Sequence, residues 1–172
     1  MNHVALASLP EPVRRLDERV MAPSHHFSFA HAELFSPEVV ASLRSSASVA
    51  IADDELARIS QMFAAANERF FRFELFSPLE IEVLGVAQVQ YRDLLPGPDL
   101  AAPTRKLAIA VPLELPISRD AVTARFLQVD KQVEFAVGRA IAYPAFAPVV
   151  LRLEPEEQAD LLIAVAHGPT FR

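Results

Sequence analysis

Cysteine is absent from this chain of 172 residues, and glycine occurs only four times. The lack of cysteine rules out disulfides, thiolate nucleophiles and the thiolate ligands of zinc and iron–sulfur sites. The four glycines form neither of the phosphate-binding patterns GxxxxGK and GxGxxG. Nucleotide chemistry of those two kinds is therefore excluded.

Positive charge is also scarce, because 16 lysines and arginines face 22 aspartates and glutamates, for a formal net charge of −6. The basic residues form no cluster, so we expect no nucleic-acid partner. No apolar run approaches the roughly 18 residues of a membrane span. The start of the chain lacks the basic and apolar regions of a secretion signal. We therefore expect a cytoplasmic protein without a membrane partner.

Apolar residues make up 52% of the chain, which is enough for one sizeable core. The length favours a single domain over residues 1–172. Hydrophobic periodicity divides this domain into two parts. Residues 1–71 are predicted to form mainly helical cover with one early strand, and residues 72–172 to form the sheet core.

Helical spacing dominates the first part. Apolar positions within residues 13–21 recur at helical spacing, and residues 36–38 (Ser-Pro-Glu) provide an N-cap, a proline and an early acid for a second helix. Between them, residues 26–35 alternate with a period of two, which predicts a strand. The clearest helix is expected to be capped by Asp53 or Asp54. Its apolar stripe consists of Leu56, Ile59, Met62, Phe63, Ala66 and Phe70.

After residue 72 the apolar period changes to two, which predicts a sheet. In one predicted strand Leu107, Ile109, Val111 and Leu113 share a face, and Pro112 indicates a bulge or an edge. About eight short strands after a helical part favour a small jelly-roll or cupin-like double sheet with helices on one side. The predicted strands are residues 72–76, 81–92, 105–113, 121–129, 133–137, 139–143, 149–153 and 160–166.

Short motifs follow one another along the chain in a distinctive order. They are Ala66–Asn67 before Phe71 and Phe73, a strand that ends at Tyr91, Arg105 with Leu107 at the start of a long strand, Gly138 to Pro144, and His167 to Phe171. In this order they resemble the prolyl-hydroxylase-like iron(II)/2-oxoglutarate dioxygenases, with the bacterial PKHD type as the nearest subgroup. The resemblance covers about residues 30 to 172.

The resemblance implies a mostly β fold, the double-stranded β-helix, behind N-terminal helices. It also implies an Fe(II) site of two histidines and one carboxylate, with an arginine for 2-oxoglutarate. The first histidine belongs to a His-x-Asp pair after the strand that ends in tyrosine. This chain has no histidine between His31 and His167. Asp93 and Asp99 occur in the region, but neither follows a histidine by two residues.

The second histidine of the resembled family lies five residues after the proline that corresponds to Pro144, and the arginine lies ten residues further on. Those positions hold Val149 and Ala159. Valine offers no lone pair to iron, and alanine offers no donor to a carboxylate. We therefore predict no catalytic residue, no metal ligand and no cofactor. The vestigial pocket is expected to comprise Tyr91, Arg105, Val149, Arg152 and Ala159.

Two arginines of this pocket allow two interpretations. Arg152 or Arg105 could replace the missing clamp in an anion-binding pocket. Alternatively, both are surface residues that neutralise acidic neighbours, and we favour this second interpretation. The acidic neighbours considered are Asp93, Glu154 and Glu156.

The histidines and phenylalanines outside the pocket have simpler interpretations. His25, His26 and His31 are expected at the surface or rim, and His167 in a structural turn. The closely spaced aromatic residues are expected mainly in the core, with a surplus available for a subunit interface. These are Phe63, Phe70, Phe71, Phe73 and Phe76.

A conserved-looking scaffold with an altered site leads to three functional hypotheses. The first is an inactive dioxygenase-like protein that acts as an accessory or partner subunit, in a homo- or heterodimer that includes an active oxygenase in the heteromeric case. The second is an active oxygenase that uses Fe(II) and 2-oxoglutarate with ligands from Asp93, Asp99, an N-terminal histidine or another chain. The third is a small-molecule binding module that uses the emptied pocket.

Overall fold

A computed structural model describes residues 30–45, 51–75, 79–87, 92–93, 104–117, 120–126, 131–145, 147 and 149–169. The helices are α1 (Pro37–Ser45) and α2 (Asp53–Ala66), and a π-helical segment (Asn67–Phe71) continues α2. The strands are β1 (Ala30–Glu33), β2 (Leu79–Ala87), β3 (Arg92–Asp93), β4 (Arg105–Glu114), β5 (Ala121–Phe126), β6 (Lys131–Ala136), β7 (Arg139–Pro144), β8 (Val149–Arg152) and β9 (Gln158–His167).

The described strands form two antiparallel sheets. The larger sheet has the order β1-β7-β4-β9-β2, and the smaller has the order β3-β8-β5-β6. Strand β4 lies at the centre of the larger sheet, where it pairs with β7 on one side and with β9 on the other. The described part of the chain is therefore mostly β with few helices, as the sequence predicted.

The two faces of the larger sheet belong to two hydrophobic clusters. Leu107, Ile109, Val111 and Leu113 of β4 face the helices, where they join Ile59, Met62 and Phe63 of α2. The alternate residues Ala108 and Ala110 join the cluster between the two sheets. The predicted shared face of β4 and the predicted placement of helices on one side are both confirmed.

The start of α1 agrees with the sequence prediction, and the capping of α2 differs from it. Helix α1 begins at Pro37, and the amide of Val39 donates a 3.4 Å hydrogen bond to the Ser36 hydroxyl. Helix α2 has Ala52 as its N-cap and no side-chain cap, so the predicted capping by Asp53 or Asp54 is wrong. Both aspartates instead lie in the first turn, where their negative charge interacts favourably with the helix dipole.

The prediction of a strand at residues 72–76 is wrong for residues 72–75, and residue 76 lies outside the described residues. The chain leaves the π-helical segment at Arg72, which adopts a left-handed conformation with φ of 52°. The Asn67 side chain then donates to the Phe73 carbonyl and accepts from the Phe73 amide, both at 2.8 Å. Because one side chain satisfies both backbone groups of Phe73, alternation of phenylalanines does not lead to strand pairing here.

Other boundaries shift by a few residues. The strand predicted at 26–35 is described as Ala30–Glu33, and the one predicted at 81–92 is divided into β2 and β3. Pro112 lies in the central strand, and the pairing of β4 with β9 shifts register between Pro112 and Glu114. The predicted bulge is therefore confirmed. The predicted helix at 13–21 lies outside the described residues, and no helix of the described part is long and apolar enough to cross a membrane.

Gly138 closes the turn between β6 and β7 with a positive φ of 76°. Its amide donates to the Pro112 carbonyl, and its own carbonyl accepts from Leu34 and Phe35. A Cβ at this position would lie 2.5 Å from the Phe35 carbonyl oxygen. The turn thus joins the bulge of β4 to the segment after β1 at a position that only glycine fits.

We expect Gly138→Ala to lower the free energy of unfolding by about 1–3 kcal/mol, because it adds both backbone strain and a clash. Gly85→Ala is the control, since the nearest atom to its new Cβ would be an Asp160 carboxylate oxygen at 3.6 Å. Urea denaturation of both variants measures the difference. Equal stability of the two variants would contradict the role of Gly138.

Candidate functional site

The space between the two sheets is filled by apolar side chains. Val149 begins β8 opposite Phe126 and is 2% exposed, while Ala159 near the start of β9 is 1% exposed. Both belong to the same cluster, together with Leu151, Leu161 and other residues of both sheets. The structure therefore places these two predicted residues in one buried apolar cluster.

Val149 and Ala159 nevertheless lie toward opposite ends of the sheets. Val149 is opposite Phe126, whose ring meets the Tyr143 ring edge-on at a centroid distance of 5.8 Å. Ala159 of β9 is opposite Val86 of β2. The next residue, Asp160, lies opposite Glu114 at the end of β4. The Val149 end of the sheets is thus the end where β4 begins and β9 finishes.

The two predicted arginines occupy different environments. Arg152 is exposed, and it alternates along β8 with Leu151 and Leu153, which point between the sheets. It therefore lies on the outer face of the smaller sheet. Arg105 lies at the beginning of β4 and forms an ion pair with Glu80 at 2.7 Å. Tyr91, the fifth predicted pocket residue, lies outside the described residues.

Four polar side chains meet at the Val149 end of the larger sheet. The Thr104 hydroxyl lies 3.0 Å from His167 Nδ1, and His167 Nε2 lies 3.1 Å from a Glu80 carboxylate oxygen. The second oxygen of Glu80 accepts a hydrogen bond from Arg105. A carboxylate only accepts, so His167 Nε2 carries the proton that it shares with Glu80. We name these four residues the end tetrad.

The end tetrad connects β2, β4 and β9 through hydrogen bonds and the ion pair of Glu80 with Arg105. Burial raises the pKa of the Glu80 carboxyl, but the hydrogen bond and charge of Arg105 and the hydrogen bond from His167 outweigh it, so the net pKa is lowered. His167 was expected in a structural turn, and its contacts fit a structural role. The partner of Arg105 is Glu80, which lies 25 residues away in sequence and was not among the acidic neighbours considered.

Tyr143 is a polar residue between the sheets that the sequence analysis did not single out. The residue is 1% exposed, and its buried hydroxyl has no hydrogen-bond partner within the part of the chain that the structure describes. Burial raises the pKa of this phenol, so it stays protonated. The signal was present in the sequence, because the motif from Gly138 to Pro144 has tyrosine where the resembled family has phenylalanine.

Lys106 is a second polar residue near this end. It is buried, and burial lowers the pKa of its ammonium group. Its carbonyl accepts from the Ala145 amide, and its stem packs so closely on Gly168 that a Cβ there would lie 2.9 Å from Lys106 Cγ. The lysine stem therefore helps to hold the turn after β7 and the chain after β9 against the start of β4.

Metal-binding residue types do not gather in the described part of the chain. No group of three or more histidine, aspartate or glutamate side chains there has a metal-binding arrangement. Glu80 and His167 do meet, but they bind each other and Arg105. Asp93 is described only as backbone opposite Val150, and Asp99, His25 and His26 lie outside the described residues. The residues described here do not fit an Fe(II) site with 2-oxoglutarate.

A groove of about 560 Å³ opens at the opposite end of the larger sheet. It lies between the end of β4 and the start of β9, where Glu114 and Asp160 are paired. Its lining includes Leu115, Ile117, Ala159 and several acidic residues. Of the predicted pocket residues that are described, only Ala159 borders this groove.

The arrangement of strands and helices in this chain is similar to that of two solved prolyl hydroxylase structures. The 2OG complex of the viral collagen prolyl hydroxylase vCPH from Paramecium bursaria Chlorella virus-1 aligns with a TM-score of 0.59 at 10% identity, over 87% of this chain and 99% of that chain. A Pseudomonas putida prolyl-4-hydroxylase aligns with a TM-score of 0.59 at 14% identity, over 86% and 95% respectively. No family model and no curated protein sequence matches the chain. The chain therefore shares the fold of these prolyl hydroxylases, and similarity this low in sequence shows the fold alone.

We expect Glu80→Gln to destabilise the protein at neutral pH by about 1 kcal/mol or less, since the carboxylate is partly exposed and its ion pair is screened. The folded-state pKa of Glu80 is lowered, so its contribution is present above the unfolded pKa and is lost as the pH falls through the folded pKa. Urea denaturation at pH 7 and at about pH 3 measures this. Glu82→Gln on the same strand is the control, and an equal loss in both variants at pH 7 would contradict the role of the end tetrad.

Tyr143→Phe is expected to stabilise the protein by about 1 kcal/mol, because it removes a buried hydroxyl that has no partner. Tyr143→Leu is the matched variant that also removes the ring contact with Phe126, and we expect it to destabilise by about 1–3 kcal/mol. Chemical denaturation distinguishes the two. Destabilisation by Tyr143→Phe would show that the hydroxyl is hydrogen-bonded in solution.

Proposed function

We propose that this protein is a catalytically inactive member of the 2OG/Fe(II) oxygenase fold that acts as an accessory or partner subunit of an active oxygenase. The observation that carries the proposal is the pair Val149 and Ala159. These residues stand where the sequence resemblance places a histidine ligand and the 2-oxoglutarate arginine, and both are packed into the apolar cluster between the sheets. Neither side chain binds a metal or an anion.

A double-stranded β-helix is part of the same proposal. From β2 to β5, successive strands alternate between the larger and the smaller sheet, and from β6 to β9 they alternate again in the reverse order. This nested order supports a jelly-roll closure of the two sheets. In such a closure the cluster around Val149 and Ala159 fills the interior, where the sequence resemblance places the cofactors.

The partner role is supported by what the chain retains. Both faces of the larger sheet are packed, helix α2 covers one of them, and the end tetrad secures three strands. A scaffold packed in this detail can bind a partner without iron. Binding to a catalytic protein, with an effect on its stability or turnover, is the function that this scaffold supports best.

A small-molecule binding module is the second candidate, and Tyr143 favours it. A buried phenol without a partner is suited to donate one hydrogen bond to an otherwise apolar ligand. A ligand at one hundred times its dissociation constant adds about 2.7 kcal/mol to stability, which a thermal-shift screen detects. A hit whose shift disappears in Tyr143→Phe would favour this candidate over the partner subunit.

Anaerobic titration of the full chain with Fe(II) and 2-oxoglutarate tests the inactive state. We expect no weak visible charge-transfer band, because Val149 and Ala159 cannot replace an imidazole and a guanidinium. An active prolyl-4-hydroxylase under the same conditions is the positive control. A band with this chain would overturn the proposal and favour an atypical active oxygenase.

Co-expression with each oxygenase of the same genome tests the partner role. We expect a stable complex with one of them and a change in the turnover of that enzyme at fixed concentration. If every oxygenase purifies alone with unchanged turnover, the accessory role is wrong even when the iron titration is silent.

A further inference from the structure

Strand β2 is the longest edge strand of the described sheets. It has nine residues, whereas the other edge strands β1, β3 and β6 have four, two and six. Within the described residues β9 is its sole pairing partner, so one row of backbone groups faces away from the sheet. A long edge of this kind is a template for pairing with another chain.

One face of β2 is suited to such pairing. On the helix-side face, Ile81 is half-buried, Val83 is 38% exposed and Gly85 has no side chain. The opposite face carries Glu80 and Glu82, and Glu82 is exposed, as Gln132 and Glu134 are on β6. Charged side chains protect an edge, so the register of a second strand must keep the glutamates from lying directly opposite each other.

When β2 of one copy pairs with β2 of a second copy, the alignment of the two strands determines which side chains lie opposite each other. We propose that two copies of this protein pair through β2 in an antiparallel arrangement with a two-fold axis at Val83. This is the register in which all nine residues overlap, because Leu79 then lies opposite Ala87 of the second copy. Axes at Ile81 or Glu82 would bring a glutamate of one copy opposite a glutamate of the other.

In the proposed register every charged position meets an apolar one. Glu82 lies opposite Leu84 of the second copy, and Glu80 lies opposite Val86. On the other face Val83 meets its own copy, and Ile81 lies opposite Gly85, which leaves room for the isoleucine. No two like charges therefore lie directly opposite each other, although the two Glu82 side chains are diagonal neighbours across the axis. The two larger sheets join into one sheet of ten strands.

The packing around β2 also favours a second copy of the same chain. Glu80 keeps its contacts with Arg105 and His167, so its charge is already balanced within the protomer. On the helix-side face of β2, Ile81 is only partly buried against its cluster. A two-fold axis perpendicular to the sheet places the helix-side faces of both copies on the same side, where Ile81 and Val83 of each copy adjoin those of the other.

This inference shares with the proposed function only the premise that the chain is a subunit. It does not depend on the loss of iron chemistry. A dimer that also binds Fe(II) and 2-oxoglutarate would support the pairing and overturn the inactive state. A monomer that gives no charge-transfer band would overturn the pairing and support the inactive state. The two proposals therefore fail independently.

Cysteine trapping is the sharpest test, because the native chain has no cysteine. In directly opposed antiparallel pairs the Cα atoms are about 4.5–5.5 Å apart, which is within disulfide range. We expect full-length Val83→Cys to form a covalent dimer under mild oxidation. Ile117→Cys is the control, since Ile117 is fully exposed at the far end of β4 and lies off this edge.

Charge repulsion provides a second measurement. Val83→Lys places two lysines opposite each other at the axis, so we expect the dimer dissociation constant to rise at least ~10-fold, equivalent to about 1.4 kcal/mol. Ile117→Lys adds the same charge elsewhere and is expected to leave association unchanged. Sedimentation equilibrium measures both, and circular dichroism confirms that the variants fold.

Three outcomes would overturn the pairing. A wild-type chain that is monomeric at ~100 µM rules it out. A dimer that Val83→Cys does not trap uses another surface. A dimer that Val83→Lys and Ile117→Lys weaken equally responds to net charge and not to this edge.

Discussion

Burial of the larger sheet on both faces is the constraint on which the rest of the structure depends. Its central strand β4 is buried along eight consecutive residues, with helix α2 over one face and the smaller sheet over the other. The first of these is Lys106 at the end of the strand, and the seven that follow are apolar, because a strand buried on both sides has no face left for polar side chains. The interior between the sheets is apolar for the same reason.

An apolar interior limits where polar groups and chemistry can occur. In the described part of the chain, charged side chains lie at the ends of the sheets, as in the end tetrad and in the pair of Arg44 with Glu114, or on the outer face of the smaller sheet, as Arg152 does. The hydroxyl of Tyr143, between the sheets, has no hydrogen-bond partner among the described residues. An isolated buried hydroxyl costs stability, so Tyr143 is the residue at which a role in ligand binding and a structural compromise are most directly distinguished.

The fold and the site carry different information about function. The likeness to prolyl hydroxylases lies in the arrangement of strands and helices, which many chemistries share. The chemistry of a site lies in its side chains, and here Val149 and Ala159 are apolar and packed. The surface adds a further possibility, because the edge of a sheet can recognise another chain with its backbone whatever the interior contains.

The sequence by itself determined the periodicities, and hence α2, the central strand β4, the bulge at Pro112 and the predominance of strands. It also determined the absence of cysteine and the identities of Val149 and Ala159. Only the tertiary structure decided that residues 72–75 bend back onto Asn67, that Arg152 lies outside the sheets, and that Thr104, His167, Glu80 and Arg105 meet. Periodicity reflects which face of an element is buried, which is a local property. The partner of a side chain depends on how distant strands pair, and Glu80 is 87 residues from His167.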